Sequence, residues 1–225
     1  MAHQHPLSFG RYETYRILIP GFYFTTLLSL LFWSAFPYVY PVPLFSELIF
    51  IILFSTILII AGLSLYAKET TKRRKAFLEN QPSQYLQGKV RTMADVPVLE
   101  DDEARRLYFY ILNNHIPATF HEKIFFFGTV YHIMIQIRRT SFGFALLGTA
   151  MMAIFLSAGM TMGSLHGLVI FTAAVWLVYL LNVRYNKADR KMQENYQDQI
   201  YWLQMHNDLI EEIIRKRSTS PTQSV

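Results

Sequence analysis

Four stretches of this chain contain no Asp, Glu, Lys or Arg, and they limit the fold more than any other feature. They are Ile17–Phe36, Leu48–Ala67, Phe142–Met162 and Gly167–Val183. A helix needs about 20 predominantly apolar residues to cross the hydrocarbon core of a bilayer. Each stretch is close to this length, so the sequence predicts an all-α, polytopic integral membrane protein with four transmembrane helices.

The composition of the 225 residues supports the same class of protein. The chain is 52% hydrophobic and 16% charged, whereas a typical soluble domain is about 25% charged. A soluble globular enzyme, a disordered chain and a fibrous repeat are therefore excluded. Because the sequence has no cysteine, it offers no disulfide, no thiolate metal site and no cysteine nucleophile.

The distribution of basic residues predicts the orientation in the membrane. All 21 Lys and Arg residues lie on one predicted side of the four spans, and none lies in the short connections 37–47 and 163–166 on the other side. Cytoplasmic segments carry the excess of Lys and Arg. We therefore expect a multi-pass protein of the plasma or inner membrane with both termini in the cytoplasm. The polar N-terminus lacks the pattern of a secretory signal, so the first span is expected to remain in the mature protein.

These spans divide the chain into six predicted segments. They are a cytoplasmic N-terminus (1–16), a transmembrane hairpin (17–67, spans 17–36 and 48–67), a cytoplasmic helical segment (68–140), a second transmembrane hairpin (141–183, spans 142–162 and 167–183), a cytoplasmic C-terminal helix (184–217) and a disordered tail (218–225). The middle segment and the C-terminal helix are expected to form a cytoplasmic helical domain. In the first span, Pro20 is predicted to lie in the first helical turn, where a missing N–H costs little.

Two features of the predicted cytoplasmic domain leave alternatives open. The run Ile124–Ile137 has no formal charge but is shorter than a span. It therefore predicts an interfacial or buried helix, because a crossing here would place Arg138 and Arg139 outside. In the C-terminal segment, apolar residues recur at steps of three and four if Gln199 and His206 are included. This pattern predicts either a coiled coil or a helix packed on the middle segment.

A row of small residues distinguishes the third span. Ser141, Ala145, Thr149, Ala153 and Ser157 recur every four residues, which places them on one helix face. Small side chains let the backbones of two membrane helices approach closely. The row predicts a helix contact, either within one chain or between copies in a homo-oligomer.

A basic cluster, Lys72-Arg73-Arg74-Lys75, follows the second span. Lys and Arg beside a membrane attract anionic lipids at about 1 kcal/mol per residue. The cluster therefore predicts either a contact with membrane lipids or a charge that only fixes the orientation. Because the basic charge is explained in this way and no base-stacking motif accompanies it, a nucleic-acid partner is not expected.

The candidates for acid–base chemistry are His121, Glu122 and His132. His121 and His132 share a helix face but lie about 16 Å apart along the axis, which is too far for one metal ion. The sequence contains no phosphate loop, dinucleotide fingerprint or nucleophile elbow. We therefore expect structural histidines, with no metal and no cofactor.

The favoured functional hypothesis is a self-associating membrane protein without enzymatic activity. Its cytoplasmic helical domain would sense a ligand or a protein partner and act on the membrane as a channel or a membrane effector. Two alternatives remain at this stage. One is an interfacial membrane enzyme that uses His121, Glu122 and His132, and the other is a scaffold or assembly partner for another membrane protein.

Overall fold

The computed structural model describes residues 8–35, 47–70, 81–161, 165–185 and 187–219. Within these ranges every regular element is a helix and no strand occurs, which confirms the all-α prediction. The helices are α1 (Ser8–Ala35), α2 (Glu47–Thr70), α3 (Pro82–Arg91), α4 (Asp101–Asn114), α5 (Ala118–Ser157), α6 (His166–Tyr185), α7 (Ala188–Met205) and α8 (Asn207–Thr219).

Three helical stretches are long and apolar enough to cross a membrane. They are Gly10–Ala35, Ala118–Ser157 and His166–Met205. The apolar part of α2 whose side chains are described, Ile51–Ala67, is a shorter helix. Length and composition therefore support a protein with membrane-spanning helices.

Helix α1 begins earlier than the charge-free stretch predicts. It starts at Ser8 and includes Arg11 and Glu13, so Pro20 lies inside the helix and not in its first turn. Proline has no N–H to donate to the carbonyl group four residues earlier, which here belongs to Arg16. The ring of Pro20 is almost completely buried.

The chain divides into two compact units. Unit 1 is Met1–Lys72 with Gly128–Ala188, and unit 2 is Arg73–Phe127 with Asp189–Val225. Helix α5 has no proline and is one continuous helix of 40 residues. It therefore contributes its first ten residues to unit 2 and the rest to unit 1.

Unit 1 has a core in which α1, α5 and α6 supply the buried side chains. These include Leu27, Leu31, Phe144, Ala145, Leu168, Phe171 and Val175. Its outer surface is also apolar. Ile60, Ile154 and Ile170, for example, are 59%, 62% and 67% exposed. An apolar surface of this kind suits lipid better than water, because soluble monomers rarely expose large contiguous apolar patches.

Unit 2 has a separate core formed by α3, α4, α7 and α8 and the connections between them. The buried residues include Leu86, Val90, Leu107, Ile111, Leu203, Ile210 and Ile213. Its helices start with recognisable signals. Helix α3 has Pro82 at its first position, and α4 opens with a capping box between Glu100 and Glu103. Such a box satisfies backbone N–H groups that the helix leaves unpaired.

The predicted C-terminal helix, 184–217, corresponds in the structure to the end of α6 and to α7 and α8. Helix α6 ends at Tyr185 and α7 begins at Ala188, while His206 separates α7 from α8. Gln199, Leu203 and Ile210 are buried in unit 2, but His206 is exposed. The seam is therefore packed within unit 2, and His206 lies outside it.

Two predicted features lie wholly or partly outside the described residues. The basic cluster Lys72–Lys75 lies in the undescribed range 71–80. The predicted tail, 218–225, is described only in the backbone of its first two residues, which end α8.

Candidate functional site

The row of small residues on α5 has a buried half and an exposed half. Ser141 and Ala145 are completely buried in unit 1, where the Ser141 hydroxyl group lies 2.7 Å from the hydroxyl group of Tyr23 on α1. Thr149, Ala153 and Ser157 are exposed. The inner half therefore packs within the chain, and the outer half is a face with small side chains.

Helix α5 is hydrogen-bonded to each of the other helices in unit 1. Besides the Tyr23–Ser141 contact with α1, the Gln136 Nε2 group donates to the Leu65 carbonyl oxygen of α2 at 3.0 Å. The Trp176 Nε1 group of α6 donates to the Thr149 hydroxyl oxygen at 3.1 Å. Hydrogen bonds between membrane helices contribute about 0.6 kcal/mol each on average. These three contacts connect α5 to each of the other helices of unit 1.

Glycines mark the closest helix contacts of unit 1. A Cβ atom built on Gly21 of α1 would lie 3.1 Å from the Gly62 Cα atom of α2, and one built on Gly148 of α5 would lie 2.4 Å from the Thr172 hydroxyl oxygen of α6. Sequence reasoning missed the first of these contacts. The available signal was a glycine in each of the first two charge-free stretches, but the sequence does not show that they face each other.

The structure places His121, Glu122 and His132 on one helix, α5, in different surroundings. The His121 ring is buried against Phe125, with 4.6 Å between the ring centroids, and its Nε2 atom lies 3.4 Å from the Asn113 Oδ1 atom. Glu122 is exposed, and His132 follows three turns later on the same helix. In the part of the chain that the structure describes, no group of three His, Cys, Asp or Glu residues could hold a metal ion.

Polar contacts connect the helices of unit 2. The Tyr108 hydroxyl group of α4 donates a buried hydrogen bond to the Gln199 Oε1 atom of α7. A tyrosine hydroxyl group is neutral and a donor at physiological pH, and burial raises the pKa of the Tyr108 hydroxyl group further. The Lys89 ammonium group of α3 donates to Asn207 and, at 3.0 Å, to Glu211 of α8.

A polar cavity of about 190 Å³ lies between the N-terminal parts of α3 and α4 in unit 2. Its wall includes Gln81, Ser83, Gln84, Gln87, Asp101 and Arg105. The Gln87 Nε2 group donates to the Leu99 carbonyl oxygen at 2.9 Å and to the Asp101 Oδ1 atom at 3.2 Å. These bonds hold the start of α4 against α3. Sequence reasoning missed this site, because residues 81–98 show only a weak pattern.

The described residues thus supply a bundle with an apolar surface, an exposed face of small residues and a polar cavity in a separate helical unit. The first two features suit a lipid environment and close helix contacts. The third suits a small polar ligand, because amide and charged side chains converge there. Comparison with protein-family models, curated proteins and solved structures finds no match for this chain.

Proposed function

We propose that this chain is a small, self-associating membrane protein with four spans. Its unit 2 is a cytoplasmic helical domain that senses a ligand or a protein partner, and its unit 1 acts on the membrane as a channel or a membrane effector. The observation that carries the proposal is the contrast between the two units. Unit 1 exposes apolar side chains on its outer surface, whereas unit 2 has a core of its own and exposes charged side chains such as Asp102, Glu103 and Arg190.

Helix α2 supplies the fourth span in this proposal. It has 24 residues from Glu47 to Thr70, which corresponds to about 36 Å at 1.5 Å per residue. The hydrocarbon core of a bilayer is about 30 Å thick. The side chains of Ile51, Ile52 and Ile60 are all more than half exposed, as expected for a helix with extensive lipid contact.

Four crossings place both termini and unit 2 on one side of the membrane. All Lys and Arg residues then lie on that side, and the positive-inside rule assigns it to the cytoplasm. The basic cluster Lys72–Lys75 would lie there too, at a position suited to contact with anionic membrane lipids.

Continuity of α5 is what would link sensing to the membrane. The same helix contributes Ala118–Phe127 to unit 2 and residues 128–157 to unit 1, where it is hydrogen-bonded to α1, α2 and α6. The exposed outer half of its row of small residues, Thr149, Ala153 and Ser157, would allow close approach of a second copy.

Single cysteines test the topology without background labelling, because the natural chain has none. We expect Gly10→Cys and Asn114→Cys to react with a membrane-impermeant maleimide only from the cytoplasmic side, and Thr161→Cys only from the outer side. Labelling of Gly10→Cys and Asn114→Cys from opposite sides would show that α2 does not cross.

Electrical recording tests the channel or effector role. Purified protein in planar bilayers should produce a conductance, with or without added cytoplasmic extract, and dye-loaded liposomes should become leaky. Protein that is folded and correctly oriented but leaves both membranes sealed under every condition would contradict the role. A second membrane protein that copurifies stoichiometrically in mild detergent would indicate a scaffold instead.

A further inference from the structure

We propose that the polar cavity between α3 and α4 binds a small zwitterion of the α-amino-acid class. The inference rests on the proposed function, because it identifies the ligand class that unit 2 would sense. The cavity lies wholly within unit 2, and both charges that would recognise such a ligand belong to α4.

The wall of the cavity carries a pair of opposite charges. Asp101 and Arg105 are four residues apart on α4, so they lie on the same helix face, and both line the cavity. The Arg105 guanidinium group pairs with Asp102 at 3.6 Å, but the Asp102 side chain is 83% exposed. Such a solvent-exposed pair is weak, so a ligand carboxylate can replace Asp102 as the partner of Arg105.

The Asp101 carboxylate is exposed and has spare hydrogen-bonding capacity. One of its oxygens accepts from the Gln87 Nε2 group at 3.2 Å, and a carboxylate has about four acceptor positions in total. It can therefore also accept from a ligand ammonium group. An ion of a single sign would meet a like charge in this wall, whereas a zwitterion satisfies both side chains.

The neutral part of the wall suits the rest of an amino acid. Gln84 and Ser83 add an amide and a hydroxyl group, and Gln81 is an N-cap residue whose side chain makes no capping hydrogen bond. Amide groups both donate and accept. A nucleobase would need an aromatic platform for stacking, and the described wall residues include no aromatic ring.

The size of the cavity sets an upper limit on the ligand. Pockets for drug-sized molecules have volumes of about 300–1,000 Å³, and this cavity, which is open to solvent, has a volume of about 190 Å³. A single amino acid is small enough for this volume, whereas a dinucleotide or a folded peptide is too large.

The test is calorimetric titration of the full chain in lipid nanodiscs with each of the proteinogenic amino acids. At least one should bind, and its N-acetyl and methyl-ester derivatives, which lack the ammonium or the carboxylate charge, should not. A hydrogen bond to a charged group contributes about 1.5–3 kcal/mol, so Arg105→Gln and Asp101→Asn should each weaken binding about tenfold or more.

Asp102→Asn is the matched control. It removes the same charge from the same helical turn, but Asp102 is not part of the described cavity wall, so binding should not weaken. Circular dichroism must show that all three variants are folded. If no amino acid binds to the folded natural chain, or if the acetylated form binds as tightly as its parent, the inference is wrong. Conductance without added ligand, recorded with the same purified protein in planar bilayers, tests the proposed function separately.

Discussion

Gly21 and Gly62 bring the backbones of α1 and α2 into direct contact. A Cβ atom on Gly21 would lie 2.3 Å from the Leu58 carbonyl oxygen, and one on Gly62 would lie 2.3 Å from the Ile17 carbonyl oxygen. No real Cβ atom tolerates such distances, so each glycine is required by its neighbour's backbone. Pro20, which precedes Gly21 in the sequence, is buried too.

The first prediction is that Gly62→Ala destabilises the protein. The added methyl group forces α1 and α2 apart, and overpacking of this kind costs about 1–3 kcal/mol. Thermal unfolding in detergent should show a lower midpoint. Gly143→Ala on α5 is the control, because a Cβ atom there meets nothing within 4 Å among the described residues. Equal midpoints for the two variants would contradict the crossing.

A second prediction concerns the buried hydrogen bond between Tyr108 and Gln199. Tyr108→Phe leaves the Gln199 Oε1 atom without its donor, and an unsatisfied buried group costs about 1–3 kcal/mol. Because the Gln199 Nε2 atom is already buried without a partner among the described residues, the additional change Gln199→Leu should recover most of the loss. Unfolding of the single and double variants by denaturant measures this, and a double variant that is less stable than Tyr108→Phe would refute it.

The ion pair between Lys89 and Glu211 predicts a dependence of stability on pH. Hydrogen bonds from Lys89 and then Asn207 lower the pKa of the Glu211 carboxyl group. Since the pKa is lower in the folded than in the unfolded state, the stabilisation is complete above the unfolded pKa and is lost as the pH falls through the folded pKa. Lys89→Met should therefore reduce stability at neutral pH and make the melting temperature fall less on acidification.

Lys216→Met is the comparison for this effect. Lys216 also lowers the pKa of its partner, Glu212, but their side chains are 74% and 59% exposed, whereas Lys89 is only 14% exposed. An exposed pair within one helix contributes little. We expect a smaller change in the pH profile than for Lys89→Met, and a larger one would contradict the role assigned to Lys89.

The fourth prediction tests self-association through α5. Ala153→Leu places a large side chain on the exposed half of the row of small residues, so an oligomer should shift to monomer in detergent sizing while the melting temperature is retained. Ala145→Leu should leave the oligomeric state unchanged and lower the melting temperature, because Ala145 is completely buried within one chain. An unchanged oligomeric state for Ala153→Leu would exclude the exposed half of the row as the contact between copies.

The helical class was predictable from the sequence because a membrane-spanning helix needs a long charge-free stretch. Such a stretch can be recognised without knowing which other helix packs against it. The start of α1 was not, because Arg11 and Glu13 end the apolar stretch but not the helix. Contacts were harder still. The row on α5 has a period of four, but nothing in its spacing distinguishes Ser141, which is buried, from Ser157, which is exposed.

The cavity illustrates the same limit. Gln87 and Asp101 are 14 positions apart in the sequence, and neither belongs to a recognisable motif. They meet only because Leu86, Val90 and Leu107 bury their side chains in one core. A site made by packing has no local signature, whereas a span has one.

The unbroken course of α5 has a consequence for length changes in this chain. Every residue of an α-helix advances its successor by about 1.5 Å and turns it by about 100°. Deleting one residue near Gly128 would therefore rotate the preceding residues of α5 by about 100° relative to Ser141 and Thr149, so side chains that share a helix face across the deletion would no longer do so. Insertions and deletions should be tolerated in the connections between helices and should be damaging within α5. An insertion of seven residues should be less damaging, because seven residues complete nearly two full turns of the helix.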